Sequence, residues 1–194
     1  MYAVRMVALI LVVALAGCAT GMQCKPEPSQ SNIDRVARLG EDVGGVSEVD
    51  LIKLVNEDTV EVADLGNRCK RLFATKQDMD RLNACHDAYN AVWEKGAALT
   101  NTAADYIDTG HMDANACSNL EGLRSDLDKR IVALRLAANA NTQGKTSVSV
   151  AKELVDLLSA IFDKFQTHKQ DQRNKVAKII RGHTWTAWAD VKAD

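Results

Sequence analysis

Proline is nearly missing from this chain: Pro26 and Pro28 are the only two in 194 residues. After Pro28, therefore, nothing obliges a helix to break. Aromatic residues are scarce, at 5%, and no stretch alternates β-branched residues with polar ones, which argues against a β-sandwich or barrel. Strong charge of either sign is also lacking. A formal net charge of −2 is not that of a general nucleic-acid binder. The chemistry-bearing motifs are missing as well. His86, His111, His168 and His183 form no HExxH or other paired ligand spacing, and the cysteines form no CxxC. Cys85 and His86 are neighbours, so on a helix they point about 100° apart and suit neither a metal pair nor a nucleophile with its base. A di-metal bundle would need Glu-x-x-His motifs, and none occurs. The expectation is a non-enzymatic protein with no catalytic residue, no metal site and no dissociable cofactor.

What is there begins at the N-terminus. Arg5 precedes an unbroken apolar run over residues 6–16, then Gly17 and Cys18. This is the order of a secretory signal. Crossing a bilayer takes about 20 apolar residues, and Thr20, Gln23, Lys25 and Pro26 cut this run short. Leu15-Ala16-Gly17-Cys18 resembles the lipobox of bacterial lipoproteins. The resemblance covers residues 1–18 only. It implies cleavage after residue 17, a diacylglycerol and an N-acyl chain such as palmitate on Cys18, and stable membrane attachment, since two or more chains anchor where one does not. Ala19, in the position where an aspartate would favour inner-membrane retention, points to the outer membrane, facing the periplasm. The other reading is an ordinary secreted protein with Cys18 spare.

Cleavage of residues 1–17 would leave 177 of the 194 residues, enough for one domain with a sizeable core, and would move the formal charge from −2 to −3 because it removes Arg5 alone. Residues 18–30 then form a lipidated, polar tether that could reach roughly 40 Å if extended. Residues 31–182 form the helical body and residues 183–194 a tryptophan-containing tail.

Within the body, Ser31-x-x-Asp34 suits the start of a short helix ending near Gly40, and Gly44-Gly45 suits a turn. Ser47-x-x-Asp50 opens a long helix with apolar positions at Leu51, Val55, Val62, Leu65, Cys69 and Leu72. Thr75-x-x-Asp78 suits the next cap, before a stripe of Leu82, Cys85, Tyr89, Val92, Leu99, Ala103 and Tyr106 that Thr109-Gly110 closes. A third long helix begins at Asp113 or at the Ser118-x-x-Glu121 box and carries Leu120, Leu123, Leu127, Ile131 and Leu134. After a loop at residues 139–145, a fourth carries Ala151, Leu154, Leu158, Ile161, Phe165, Val176 and Ile179, with His168 and Gln172 weakening its stripe before Gly182. Spacings of three and four with short connections predict an all-α, up-down-up-down four-helix bundle with a short extra N-terminal helix.

Assigning Cys18 to lipid leaves Cys24, Cys69, Cys85 and Cys117 in an oxidising compartment. Cys69 and Cys85 lie on facing apolar stripes, equidistant from the turn predicted near Thr75. Helix axes about 8–10 Å apart bring facing Cα atoms to the low end of disulfide spacing, so these two are expected to pair. Elimination then joins Cys24 to Cys117. The alternative is four buried thiols.

Residues 41–64 hold eight acids and one lysine. Lys164, Lys169, Arg173, Lys175, Lys178 and Arg181 face Asp163 and Asp171 across residues 163–181. The layout predicts that both regions lie at the lipid-proximal end, where they neutralise each other, or where the bases meet anionic headgroups or an acidic partner. Glu57, Glu61 and Asp64 share one helical face, with Lys53 and Arg68 as expected i,i+4 partners of Glu57 and Asp64. Trp185 and Trp188 stand at i,i+3 in the tail, expected near that same end. They suit either a lid on the helices or a contact with the bilayer or a partner. Taken together these features predict a lipid-anchored interaction or structural module of the bacterial cell envelope, with membrane and an envelope protein as partners. An exclusion or immunity lipoprotein of a phage or mobile element, blocking a receptor or toxin, is the second class.

Overall fold

The computed structural model describes residues 27–42, 45–74, 78–139, 149–182 and 185–191. Among these residues lie six α-helices: α1 (Gln30–Ala37), α2 (Glu48–Phe73), α3 (Met79–Thr109), α4 (Ala114–Ala137), α5 (Val150–Phe165) and α6 (Gln170–Gly182). A 3-10 turn follows at Trp188–Asp190. A short ladder of two residues a side pairs β1 (Glu41–Asp42) with β2 (Gly45–Val46), Glu41 opposite Val46. Gly45, expected in a turn, pairs in β2; Gly44 lies outside the described residues.

Side-chain caps set the helix starts. The Ser47 hydroxyl accepts from Asp50 N at 3.3 Å and starts α2 where the sequence placed it. At α1 the cap is Ser29 rather than Ser31, accepting from Asn32 N. Of the two starts open for α4, Asp113 is used, its carboxylate 2.7 Å from Ala116 N, which brings Ala116 and Cys117 into buried helical positions. Thr75, the expected cap of α3, is outside the described residues. Gly110 ends α3 at φ 68°, where a side chain is disfavoured, and its N–H donates to Tyr106 O at 2.9 Å.

The long fourth helix expected from the sequence is two helices. Carrying α5 onward would place His168, Lys169 and Gln172 where its apolar stripe had been. Instead the backbone turns over residues 166–169, and the stripe resumes on α6 with Val176, Ala177, Ile179 and Ile180 buried against α3 and α2. Arg173 secures the corner, donating to His168 O at 2.8 Å and to Asp108 O at 3.2 Å.

Core formation centres on α5. Eleven of its residues are buried, from Val150 to Phe165, and so broad an apolar face must be covered by several helices. It packs against α2, α3 and α4, and α1 lies on the face they leave, burying Val36 and Leu39. Polar groups fix α1 there. Asp156 of α5 accepts from Ser29 N at 2.8 Å, from the Ser29 hydroxyl and from Asn32 Nδ2 at 2.8 Å. Lys164 donates to the end carbonyls of Val36 and Leu39, both at 3.3 Å. Arg35 ties α1 to α2, reaching Asp58 Oδ1 at 2.8 Å, Leu54 O at 3.2 Å and Glu57 Oε2 at 3.3 Å.

Cys69, near the end of α2, and Cys85, near the start of α3, form the expected disulfide, with Cα atoms 6.0 Å apart. Cys117 is buried at the start of α4. Its expected partner Cys24 lies outside the described residues, as do Cys18 and the signal region.

Candidate functional site

Glycine inside a helix costs about 1 kcal/mol relative to alanine, so a helical glycine at a packed position calls for a reason. Gly66 of α2 and Gly96 of α3 are both buried, and both mark where the C-terminal segment lies. A Cβ on Gly96 would fall 2.2 Å from Trp185 Cζ2. A Cβ on Gly66 would fall 2.7 Å from Tyr89 Cε2 and 3.0 Å from Val191 Cγ1. The two glycines open notches in neighbouring helices, and residues 185–191 cross between them as a strap.

The strap is held through its backbone. Trp93 Nε1 donates to Trp185 O at 3.0 Å and the Tyr89 hydroxyl to Thr186 O at 2.7 Å. Lys70 Nζ donates to Trp188 O at 2.6 Å and also to Val191 O. Burial, with the Asp190 charge nearby, pushes the Tyr89 phenol up to about 12, so it stays a donor at any physiological pH. Side chains complete the fit: Trp185 is 4% exposed and Val191 is buried. The half-buried Trp188 ring stands edge-on to Tyr89 and His86, with Lys70 Nζ 5.0 Å from its centroid.

This arrangement predicts opposite results for two glycines. Gly96→Ala should cost about 1–3 kcal/mol, because a planar ring has no flexible end to give way, and should shift tryptophan fluorescence to the red as Trp185 is expelled. Gly122→Ala, where a Cβ meets nothing within 4 Å, should instead stabilise α4 by about 0.5–1 kcal/mol. Urea denaturation followed by far-UV circular dichroism measures both.

The tail residues singled out from sequence thus lie in a groove between α2 and α3. They run along it toward the Cys69–Cys85 end rather than toward the start of α2, where the layout had put them. Burial of Trp185 favours the packing role for that residue; Trp188 keeps an exposed edge. Sequence reasoning did not find Gly66, Lys70, Tyr89, Trp93 and Gly96 as the receiving surface. The two unexplained helical glycines were the signal available.

The basic segment divides. Arg181 pairs with Asp105 at 2.7 Å and with Asp108 at 3.2 Å, both on α3, and Arg173 is engaged at the α5–α6 corner. Lys169 and Lys178 are exposed, as is Lys175, which also takes part in the protein's interactions. The acidic segment finds other partners than those expected. Asp58 and Glu57 meet Arg35, and Glu61 meets Arg135 of α4 at 2.6 Å. Arg68, expected beside Asp64, donates instead to Ala138 O at 2.8 Å and Asn139 O at 2.9 Å, since the exposed end carbonyls of α4 fall within its reach. These ion pairs therefore tie each segment to helices other than the one it was expected to neutralise. A second surface is left on α2, where Val49, at 75% exposed, and Val60 border an open groove with Ile52, Lys53, Asn56 and Glu57.

Among the described residues no group of three or more histidine, cysteine, aspartate or glutamate side chains is placed to hold a metal, and no helix is long and apolar enough to cross a membrane. The fold and strap define an all-helical, disulfide-stapled protein whose C-terminal segment is docked on its own surface. No known protein family, curated protein or solved structure matches the chain.

Proposed function

We propose that this chain is a lipoprotein of the bacterial cell envelope, anchored through acyl chains on Cys18, whose helical domain acts as a non-enzymatic interaction module. The observation that carries this reading is Leu15-Ala16-Gly17-Cys18 placed directly after an apolar run. The disulfide between Cys69 and Cys85 supports it, because such a bond persists in an exported, oxidising compartment and rarely in the cytosol. In this reading α2 to α5 alternate in direction as an up-down-up-down bundle, α1 and the strap close its surface, and Ala19 directs the protein to the outer membrane, facing the periplasm.

The test is metabolic labelling with palmitate in the native host, combined with membrane fractionation. The wild-type chain should take up label and sediment with membranes, while Cys18→Ala should lose the label and keep residues 1–17 uncleaved. Label retained by Cys18→Ala would overturn the anchor. Cross-linking in intact envelopes then tests the module: recovery of the protein alone, under conditions that capture other lipoprotein complexes, would count against it.

A further inference from the structure

The strap is bound as peptide ligands are bound. Among the described residues its backbone-to-backbone hydrogen bonds are internal, from Asp190 N to Ala187 O and from Val191 N to Trp188 O. The helices hold it instead by side-chain donors aimed at its carbonyls. Trp93, Tyr89 and Lys70 read four carbonyls along seven residues, contacts made to backbone alone, with Lys70 bridging the two carbonyls on either side of the 3-10 turn. Selectivity comes from the notch at Gly96, which admits a flat aromatic ring, and from the floor at Gly66, which admits a β-branched side chain. Between them Tyr89, His86 and Lys70 frame a second aromatic ring. The rim remains open to solvent, with Trp93 38% exposed and Trp188 only partly covered. Donors that ignore side-chain identity, with pockets that select particular residues, are the two elements of peptide recognition.

We infer that the groove between α2 and α3 is a peptide-binding site, occupied here by the chain's own residues 185–191. The ligand it takes is a peptide that enters extended and closes in a single 3-10 turn, with aromatic residues at positions one and four and a β-branched residue at position seven, the pattern of Trp185, Trp188 and Val191. The covalently attached segment acts as a competitor at an effective concentration on the order of millimolar, so an outside peptide of this pattern enters only by displacing it. The inference deepens the interaction-module reading by naming the class of partner, and it does not depend on the lipid on Cys18.

The experiment uses the full chain with a protease recognition sequence inserted between Gly182 and Trp185, and a fluorescein-labelled peptide of residues 183–194 as probe. Before cleavage the peptide should bind weakly. After cleavage, polarisation should show binding at least about tenfold tighter as the severed strap exchanges. Trp185→Ala in the peptide should weaken binding about tenfold or more, and Tyr89→Phe in the protein should weaken it severalfold. Three results would overturn the inference: no binding after cleavage, equal binding of a scrambled peptide, or loss of the helical far-UV circular dichroism when the strap leaves. The last would make the strap part of the folding core. None of these bears on palmitate labelling, so failure of the groove and failure of the anchor are separately visible.

Discussion

Replacing Arg35 with alanine should cost about 3 kcal/mol at neutral pH, the range expected when one member of a largely buried ion pair is removed. Arg35 is 22% exposed and its partner Asp58 10%, so the substitution strands a carboxylate where water barely reaches. It also frees Leu54 O and the Asn32 side chain, which Arg35 holds at 3.2 and 2.6 Å, and loosens α1 from the α5 face it covers. The pH dependence separates the charge from the packing. Burial holds the Asp58 carboxyl above the ordinary carboxylate range, with the Arg35 hydrogen bond and charge pulling against it. A carboxyl raised in the folded state favours folding in acid, and that contribution is lost as pH rises through its folded value. Without Arg35 the value rises further, so the deficit of Arg35→Ala relative to wild type should be largest near pH 7 and shrink as Asp58 takes up a proton toward pH 4. Chemical denaturation at the two pH values measures this; an equal deficit at both would assign the loss to packing alone. The double variant Arg35→Met with Asp58→Leu should recover most of the stability, since a buried pair replaced by apolar groups of similar volume is often neutral.

Loss of the disulfide should be comparably large. Cys69 and Cys85 are separated by 16 positions, and closing a loop of that length removes about 3 kcal/mol of chain entropy from the unfolded state. The double substitution Cys69→Ala with Cys85→Ala should lower the Tm by roughly 6–12 °C for a domain of this size. Reductant should lower the wild-type Tm by a similar amount and leave the double variant unchanged. A double variant that still melts lower in reductant would mean that another disulfide contributes to stability, with Cys117 the cysteine to examine. Calorimetry with and without reductant distinguishes these outcomes.

The features legible in the sequence share one property: they depend on residues close together along the chain. Ser47 and Gly110 could be read as helix ends because a cap is satisfied by backbone groups three or four residues away. The Cys69–Cys85 pairing could be read because both cysteines lie on apolar stripes of consecutive helices, a few turns either side of one connection. The break after Phe165 was half visible in His168 and Gln172, which interrupt the stripe. Whether a helix tolerates such an interruption or turns depends on what lies across from it, here Asp108 of α3, whose carbonyl Arg173 reaches.

The functional groove was not legible for the same reason. Gly96 and Trp185 stand 89 positions apart, and Lys70 and Val191 121 apart; their types show nothing of their meeting. Charge was harder still. Lys53, Arg68 and the segment 163–181 each had sequence-near or face-near partners of opposite sign. Opposite charge alone does not choose among several candidates, so geometry chose the partners. Arg35 took Asp58, Arg135 took Glu61 and Arg181 took Asp105 because the packing of apolar faces sets those helices side by side.

By itself, then, the sequence determined the helical class, several helix ends and one disulfide, all properties of local periodicity and of neighbouring segments. Only the tertiary structure decided that α5 sits at the centre with α1 laid over it, and that the Trp185 and Trp188 tail lies in a glycine-notched groove. Those placements follow from which apolar faces pack together over the whole chain, and no local stretch of residues carries that information.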